Sequence, residues 1–214
     1  MQRVVVTGFE PYWNYEYNSS WEAAKQVASL NILETPIIAV QAPVSFKRVP
    51  EFIQQVVKEH KPDLLLMLGQ SGGSDRIKLE RTALNLMDAK LADNDGYIPD
   101  EEPIDLSLPP ALFTNLSLKA IKQDIERRDI PVKISNSCGL YVCNRLYYEA
   151  LMQVNKDNNL SAIFVHLPFY EGQQGAKPGK PAMPLSQMTD ALKTIIENYN
   201  DKERRIQEKI SQGI

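Results

Sequence analysis

The sequence predicts an α/β fold, namely a three-layer α/β/α sandwich on a largely parallel, twisted sheet with an antiparallel hairpin insertion. Short apolar runs alternate with amphipathic helical patterns along the chain, which is typical of this class. Residues 64–68 are apolar throughout, as expected of a parallel strand covered on both faces. With 214 residues and 43% hydrophobic content, the chain is predicted to form a single domain over residues 1–214.

The amino-terminal segment predicts a strand, a loop and a helix. Residues 4–7 are a β-branched run closed by Gly8, which favours a short buried strand. Ser19 and Glu22 have capping-box spacing, so a helix is predicted to begin there and to continue through Leu30.

The loop between that strand and helix, residues 9–18, is rich in aromatic side chains. These are Phe9, Tyr12, Trp13, Tyr15 and Tyr17. They either fold over their own hydrophobic patch or form a wall for a small, flat ligand, and the pattern alone is compatible with both.

The next elements continue the alternation. Residues 36–42 predict a second strand, and Pro50 suits the first turn of a helix over residues 51–59. The apolar run that follows leads into the glycine-rich residues 69–73, which lack the spacing of a dinucleotide fingerprint or a P-loop. We therefore expect bare backbone at the carboxyl end of a strand, where open α/β sheets bind ligands.

The middle of the chain predicts a strand that carries a carboxylate, followed by a long irregular segment. Residues 76–82 alternate polar and apolar side chains, which places Glu80 on the polar face of a strand or hairpin. Residues 87–110 are rich in turn signals and predict a hairpin followed by irregular chain. An amphipathic helix over residues 116–128 and a strand over residues 132–135 come next.

The carboxyl-terminal part supplies a cysteine at a helix start and a histidine at a strand end. A polar turn with a glycine gives way to helical spacing, so Cys143 is predicted in or near a first helical turn. An apolar run ends at His166, before a Gly/Pro-rich loop over residues 170–184. A helix is predicted from about residue 185, with a charged tail over residues 200–214.

These positions suggest nucleophilic catalysis. Unpaired N–H groups at a helix start would stabilise a Cys143 thiolate and offer donors to an oxyanion. His166 would take the proton from the thiol and return it to the leaving amine, while Glu80 would orient the imidazole. Taken singly, each residue also has an ordinary explanation as an inert buried cysteine, a satisfied core histidine or a surface glutamate.

The composition argues against several classes of function. A net charge of −3 without a basic stripe argues against nucleic-acid binding. The chain has no apolar run of the roughly 20 residues that a membrane span needs, and it starts with a strand-like segment, so a cytoplasmic location is expected. A metal site made of Cys138, Cys143 and His166 is a minor alternative, because the cysteines lack zinc-site spacing.

A set of motifs occurs in a recognisable order over about residues 1–200. They are Thr7-Gly8-Phe9-Glu10-Pro11, Glu80-Arg81-x-Ala83-x-Asn85, Asp88-Ala89, Asp93-Asn94, Asn136-Ser137-x-Gly139-Leu140-Tyr141-Val142-Cys143-Asn144 and Val165-His166-Leu167-Pro168. Together they resemble pyroglutamyl peptidase type I, also called pyrrolidone-carboxylate peptidase, and the block around Cys143 is the most specific.

This resemblance implies a cytosolic cysteine peptidase that removes an amino-terminal pyroglutamyl residue from peptides, without metal or cofactor, and commonly as a homotetramer in prokaryotic members. It implies that Glu80, Cys143 and His166 occupy the triad positions. Cys138 falls where the family usually carries a small residue, so we expect it to serve packing. The substrate-binding positions that the resemblance implies are Phe9, Tyr12, Gln70, Lys90, Tyr141 and Val142.

Three departures from the family pattern keep two other functions open. Residues 11–14 replace a usual Pro-Phe-Gly-Gly, while Lys90 and Ser74 replace arginines, the first of which lies near the family's active site. One alternative is a diverged thiol hydrolase for another small N-acyl or lactam group. The other is a non-catalytic binding protein on the same scaffold.

Overall fold

The computed structural model describes residues 2–30, 32, 34–173 and 179–211. Within these residues the elements, in chain order, are β1 (Val4–Phe9), α1 (Ser19–Ala28), β2 (Ile37–Ala42), α2 (Val49–His60), β3 (Leu64–Gln70), β4 (Ile77–Glu80), β5 (Thr82–Leu84), β6 (Ala111–Phe113), α3 (Leu118–Glu126), β7 (Val132–Ser135), α4 (Val142–Val154), β8 (Ser161–Leu167), β9 (Phe169–Tyr170), β10 (Ala182–Met183) and α5 (Leu185–Ser211).

A six-stranded central sheet organises the fold. Its strand order is β2-β1-β3-β8-β4-β7, and the first four of these strands are parallel to one another. The prediction of a largely parallel sheet is confirmed. β4 pairs antiparallel with β8 and parallel with β7, so the last two strands run against the other four. This reversal brings the carboxyl end of β4 alongside β8.

Helices cover both faces of the sheet, which confirms the predicted three-layer arrangement. Successive side chains of a strand point to opposite faces, so the apolar run of β3 supplies two hydrophobic clusters. Leu64 and Leu66 pack in a cluster with α1, α3 and α5. Leu65 and Met67 pack in the other cluster with α2 and α4. The entire β3 strand is therefore buried.

The inserted segment is held by an antiparallel pair at its two ends. β5 and β6 form a separate two-stranded antiparallel sheet on either side of residues 85–110. The hairpin predicted at the start of residues 87–110 is reduced to an isolated bridge between Met87 and Glu102. Prolines recur in this segment, and each lacks the N–H that a strand ladder needs.

The first helix begins at the predicted residue but has a different cap. Asn18, rather than Ser19, is the capping residue, and its side-chain oxygen accepts a hydrogen bond from the Ser20 N–H at 3.1 Å. The Ser20 hydroxyl also donates to this oxygen, at 2.7 Å. The capping-box prediction is therefore wrong by one residue, because Asn18 supplies the cap and the Glu22 N–H bonds the Asn18 backbone carbonyl instead of the Ser19 side chain.

The carboxyl-terminal helix extends farther than its apolar stripe indicated. α5 begins at Leu185, as predicted, and continues to Ser211, so most of the predicted tail is helical. Residues 212–214 of that tail lie outside the described residues. The loop predicted over residues 170–184 contains the short strand β10, which pairs with β9, while residues 174–178 of the loop also lie outside the described residues.

Candidate active site

A buried histidine–glutamate pair lies at the centre of the sheet. Glu80, the last residue of β4, is opposite Phe164 of β8, and His166 follows two positions later on the same face. The His166 Nδ1 atom is 2.8 Å from Glu80 Oε1. Only 1% of Glu80 is exposed, and its Oε2 atom has no hydrogen-bond partner among the described residues. The imidazole is therefore the polar group that pairs with this carboxylate.

Cys143 lies at the same site, but it is carried by the helix α4 and not by a strand of the sheet. Residues 136–141 lead from the edge strand β7 to α4, in which Cys143 is the second residue. Cys143 and His166 line one pocket, so the structure brings together the three residues that the sequence singled out. β7 runs antiparallel to β8, so the carboxyl ends of these two strands lie at opposite edges of the sheet. Residues 136–141 therefore lead the chain back from the end of β7 and bring Cys143 to the same pocket as His166.

The thiol of Cys143 is not activated in the way that the helix start suggested. Burial and the nearby Glu80 carboxylate raise its pKa to about 12, while a hydrogen bond from its own backbone N–H acts weakly in the opposite direction. In this conformation burial therefore outweighs the helix start and favours the neutral form of the Cys143 thiol. The thiol is neutral near pH 7, so a nucleophilic attack requires a base that removes its proton during the reaction.

Cys138 also lies at the pocket but is held by packing. It is buried, and its sulfur lies 3.6 Å from Asn144 Oδ1 and 3.9 Å from the Thr82 carbonyl oxygen. Burial raises the pKa of this thiol well above its ordinary value. The Asn144 side chain in turn bonds the backbone of Leu84 in both directions, each at 2.8 Å. Cys138 therefore belongs to the buried contacts that fix the start of α4.

The pocket has a volume of about 230 Å³ and is mostly apolar. It is lined by Phe9, Tyr12, Trp13, Asn18, Val44, Gln70, Cys138, Tyr141, Val142, Cys143 and His166. Five of the six residues predicted to bind substrate are in this lining. Lys90 is the exception, because it is exposed and does not line the pocket, so its role stays a prediction.

Gln70 has a side-chain amide whose orientation is fixed by its neighbours. Its Oε1 atom accepts hydrogen bonds from the Ser19 backbone N–H at 3.0 Å and from Gln173 Nε2 at 2.8 Å. Its Nε2 atom consequently faces the Tyr12 hydroxyl at 3.4 Å. Burial raises the pKa of Tyr12 above its usual range, so this hydroxyl is neutral. The wall of the pocket that Gln70 and Tyr12 form therefore presents neutral polar groups to a ligand.

Two aromatic residues close the mouth of the pocket. Trp13 is half exposed and lies with its ring centroid 4.9 Å from that of Tyr12. Burial raises the pKa of Tyr141 to about 12, and a hydrogen bond from the Trp13 side chain partly opposes this shift. The Tyr141 hydroxyl itself donates to the Ala92 carbonyl at 2.9 Å. These contacts connect the aromatic loop to the start of α4.

The backbone of β3 approaches the rings of Phe164 and His166 so closely at Gly69 that a side chain there would have to displace them. A Cβ atom at Gly69 would lie 2.8 Å from Phe164 Cζ and 3.0 Å from His166 Cδ2. The Phe164 and His166 rings are themselves in contact, with centroids 4.9 Å apart. The imidazole is thus held between an aromatic ring and bare backbone.

Several residues of the site were not predicted. Asn18, Val44 and Gln173 line or support the pocket, and only Asn18, which directly precedes a helix signal, carried a local indication in the sequence. Among the described residues, no group of three or more His, Cys, Asp or Glu side chains fits a metal ion, so the alternative metal site finds no support. In the same part of the chain, no helix combines the length and apolar character that a membrane span needs.

Comparison with known proteins gives a consistent result over nearly the whole chain. A family model described as pyroglutamyl peptidase matches residues 2–202. A pyrrolidone-carboxylate peptidase of Thermococcus onnurineus (strain NA1) is 39% identical over 196 residues, which cover 91% of this chain and 97% of the relative. Pyrrolidone-carboxylate peptidase 1 of Caldanaerobacter subterraneus subsp. tengcongensis is 38% identical, with coverage of 91% and 96%.

Solved structures resemble the fold equally well. The pyrrolidone carboxyl peptidase of Thermococcus litoralis superposes with a TM-score of 0.88 at 31% identity, with coverage of 95% of this chain and 96% of the other. The pyrrolidone carboxyl peptidase of Fervidobacterium islandicum AW-1 has a TM-score of 0.88 at 34% identity, with coverage of 94% and 99%.

Proposed function

Because the chain belongs to the pyroglutamyl peptidase family, we propose that it is a cysteine peptidase that hydrolyses the amide bond after an amino-terminal pyroglutamyl residue. The observation that carries this proposal is one pocket with a thiol and a glutamate-bound imidazole on one side and neutral hydrogen-bonding groups on the other. Residues 1–214 form a single peptidase domain in this proposal, in keeping with the extent of the family match.

The acylation step begins with a neutral thiol. As the Cys143 sulfur attacks the substrate carbonyl, His166 Nε2 takes the thiol proton. Glu80 accepts a hydrogen bond from Nδ1–H, which fixes the tautomer with a free Nε2 and stabilises the imidazolium that forms. His166 then gives the proton to the leaving amine, and the pyroglutamyl group remains on the sulfur as a thioester.

Deacylation uses the same groups in the reverse sense. A water molecule gives a proton to His166 and attacks the thioester carbonyl, after which the proton returns to the Cys143 sulfur as the C–S bond breaks. Pyroglutamate leaves, and the free thiol is restored. Each step uses side chains of this chain and water, so we expect the reaction to proceed in the presence of a chelator.

The start of α4 supports the charge that develops on the substrate carbonyl. The first N–H groups of a helix have no acceptor inside the helix, and those of Val142 and Cys143 are in this position. We assign them as donors to the oxyanion. Such a donor contributes about 3 kcal/mol to transition-state stabilisation in a characterised hydrolase.

The pocket suits a lactam ring better than an ordinary amino terminus. A pyroglutamyl group has no ammonium, and the ring offers one N–H, one C=O and flat apolar faces. In this proposal Gln70 Nε2 and the Tyr12 hydroxyl donate to the ring oxygen, while Phe9 and Val142 of the pocket lining supply apolar walls. An analogue without the ring amide would leave these buried polar groups unpaired, which selects against it.

A cytoplasmic homotetramer is the assembly and location that the family resemblance implies, and we propose both for this chain. Large exposed apolar side chains on the inserted segment and on β6 support self-association, because an interface would remove them from water. They are Leu91, Ile98, Leu106 and Phe113, of which Leu106 is 89% exposed. Light scattering after size-exclusion chromatography measures the assembly directly, and a monomer at micromolar concentration would contradict it.

A diverged acyl specificity is the second candidate, because Tyr12 and Trp13 both occupy the lining of the pocket. In this case the enzyme would hydrolyse another small N-acyl or lactam group by the same thiol chemistry. A panel of N-acyl arylamides with equal leaving groups separates the two functions. The first predicts the highest kcat/KM for the pyroglutamyl substrate, and the second predicts a better substrate elsewhere in the panel.

The direct test of the proposed function is hydrolysis of a pyroglutamyl arylamide under reducing conditions. Wild type should be active, and Cys143→Ser should lose activity by at least about a thousandfold. Cys138→Ser is the matched control and should retain most activity, because its thiol is held by packing contacts. No turnover by folded wild-type protein, or an equal loss in both variants, would overturn the proposal.

A further inference from the structure

The order of the strands in the sheet indicates the direction in which a bound peptide would cross it. The lactam pocket lies at the carboxyl ends of β1 and β3, where Phe9 and Gln70 line it. His166 lies on the next strand, β8, and the sheet then continues with β4 and β7. If the proposed function holds, the part of the peptide beyond the scissile bond leaves the pocket past His166 and crosses β4 and β7.

Two lysines lie on that path. Lys78 of β4 is directly opposite His166 in the antiparallel ladder, and Lys133 of β7 is directly opposite Lys78 in the parallel one. Directly paired residues of adjacent strands point to the same face of a sheet. Both lysines are therefore on the face that carries His166 and Glu80, in a row that leads away from the pocket.

Lys78 is anchored at the rim of the site. Its Nζ atom donates a hydrogen bond to Ser71 Oγ at 2.8 Å, and Ser71 directly follows the pocket residue Gln70. The Ser71 backbone N–H is itself bonded to the Leu167 carbonyl at 2.7 Å, next to His166. Lys78 is half-buried, so its ammonium is less free to move and less well screened than that of an ordinary surface lysine.

The charge of this row is not neutralised by protein carboxylates. Among the described residues, neither Lys78 nor Lys133 takes part in an ion pair, and the bond from Lys78 goes to a neutral hydroxyl. The charge of Lys133 contributes to the lowered pKa of Asp75, but the ion pair of Asp75 is with Arg76, at 2.8 Å. The one carboxylate at the centre of the site, Glu80, is bonded to His166.

We propose that Lys78, assisted by Lys133, makes this peptidase selective for substrates in which an acidic residue directly follows the pyroglutamyl group. The side chain of that residue comes next to the scissile bond, beside His166, which is the position that Lys78 faces across the ladder. A carboxylate there gains an ion pair with a held ammonium, whereas a lysine side chain is repelled. This inference rests on the proposed function and adds a substrate class to it.

The test compares three peptides that differ only in the second residue, namely pyroglutamyl-Glu, pyroglutamyl-Gln and pyroglutamyl-Lys peptides with amidated carboxyl termini. The value of kcat/KM is measured for wild type, Lys78→Gln, Lys78→Arg and Lys133→Gln. Lys119→Gln is the control, because it removes the same charge from α3, on the opposite face of the sheet. A pyroglutamyl arylamide is assayed with wild type in parallel to confirm the basic activity.

We expect wild type to prefer the Glu peptide over the Gln peptide by about fivefold, as is usual for one accessible ion pair. The preference should shrink when ionic strength rises from about 0.01 M to about 1 M. Lys78→Gln should abolish it, Lys133→Gln should reduce it, and Lys78→Arg and Lys119→Gln should keep it. Equal rates for the three peptides, or an unchanged preference in Lys78→Gln, would overturn the inference while the arylamide result stands. Failure of wild type on the arylamide would instead count against the proposed function.

Discussion

Glu80 and His166 are 86 positions apart in the chain, yet their side chains are joined by a 2.8 Å hydrogen bond in the interior of the protein. The antiparallel pairing of β4 with β8 produces this contact, because it aligns the last residue of β4 with the strand segment that ends in the histidine. A carboxylate that is only 1% exposed needs such a partner, since an unpaired buried charge is costly. The pair therefore satisfies a buried polar group of the fold, and in the proposed mechanism it also serves the chemistry.

The first prediction concerns the charge of this carboxylate. Glu80→Gln keeps the size of the side chain, but it removes the charge that stabilises the imidazolium and can present an N–H to Nδ1. We expect kcat for the pyroglutamyl arylamide to fall by about a hundredfold or more. Tyr147→Phe is the control, because the Tyr147 hydroxyl bonds the backbone carbonyl of Glu80, at 3.0 Å, and not its carboxylate. Similar losses in both variants would indicate a purely structural role for Glu80.

The second prediction concerns the pH dependence of thiol reactivity. Because the pKa of Cys143 is raised to about 12, the reactive thiolate is scarce at neutral pH, and its fraction rises with pH. The rate of inactivation of the free enzyme by iodoacetamide should therefore increase about tenfold per pH unit through the neutral range, without a plateau. A plateau near pH 7 would show a preformed thiolate and contradict the neutral thiol.

The third prediction concerns the size of the acyl pocket. Trp13 lines the pocket mouth and contacts Tyr12 and Tyr141. Trp13→Gly should raise kcat/KM for larger N-acyl arylamides relative to the pyroglutamyl substrate, because the bulky ring is removed. Tyr17→Ala is the control, since Tyr17 belongs to the same loop but is absent from the lining. An unchanged ratio in Trp13→Gly would show that the indole does not limit the acyl group.

The fourth prediction concerns the close approach at Gly69. The added Cβ of Gly69→Ala would lie 2.8 Å from Phe164 Cζ, so the ring must move. We expect the free energy of unfolding to fall by about 1–3 kcal/mol, and kcat to fall because His166 packs on the same ring. The double variant with Phe164→Leu should recover part of both losses, as measured by denaturant unfolding and arylamide hydrolysis. If the double variant recovers neither stability nor kcat, the losses do not arise from the contact between residue 69 and the Phe164 ring.

Local patterns in the sequence were sufficient for much of the fold. The apolar run that became β3, the alternation that placed Glu80 on a polar face and the apolar strand that ends near His166 all reflect side-chain periodicity, which is readable in one dimension. The motif around Cys143 indicated the family, and the comparisons confirm it.

Features that depend on the packing of distant segments were not readable in this way. The reversal of β4 and β7 relative to β8 is set by which strands become neighbours, and no local pattern encodes it. The raised pKa of Cys143 depends on burial by residues far along the chain, which outweighs the helix start. The support of Gln70 by Gln173 likewise joins residues that are 103 positions apart.

The most direct measurement of the proposed mechanism is the mass of the enzyme during turnover. Wild type is mixed with an excess of a pyroglutamyl ester, quenched with acid within the first turnovers, digested and analysed by mass spectrometry. The proposed mechanism predicts one added pyroglutamyl group on the peptide that contains Cys143 and Cys138, and the same adduct in Cys138→Ser but not in Cys143→Ser. Turnover without an adduct, or an adduct that persists in Cys143→Ser and disappears in Cys138→Ser, would contradict it.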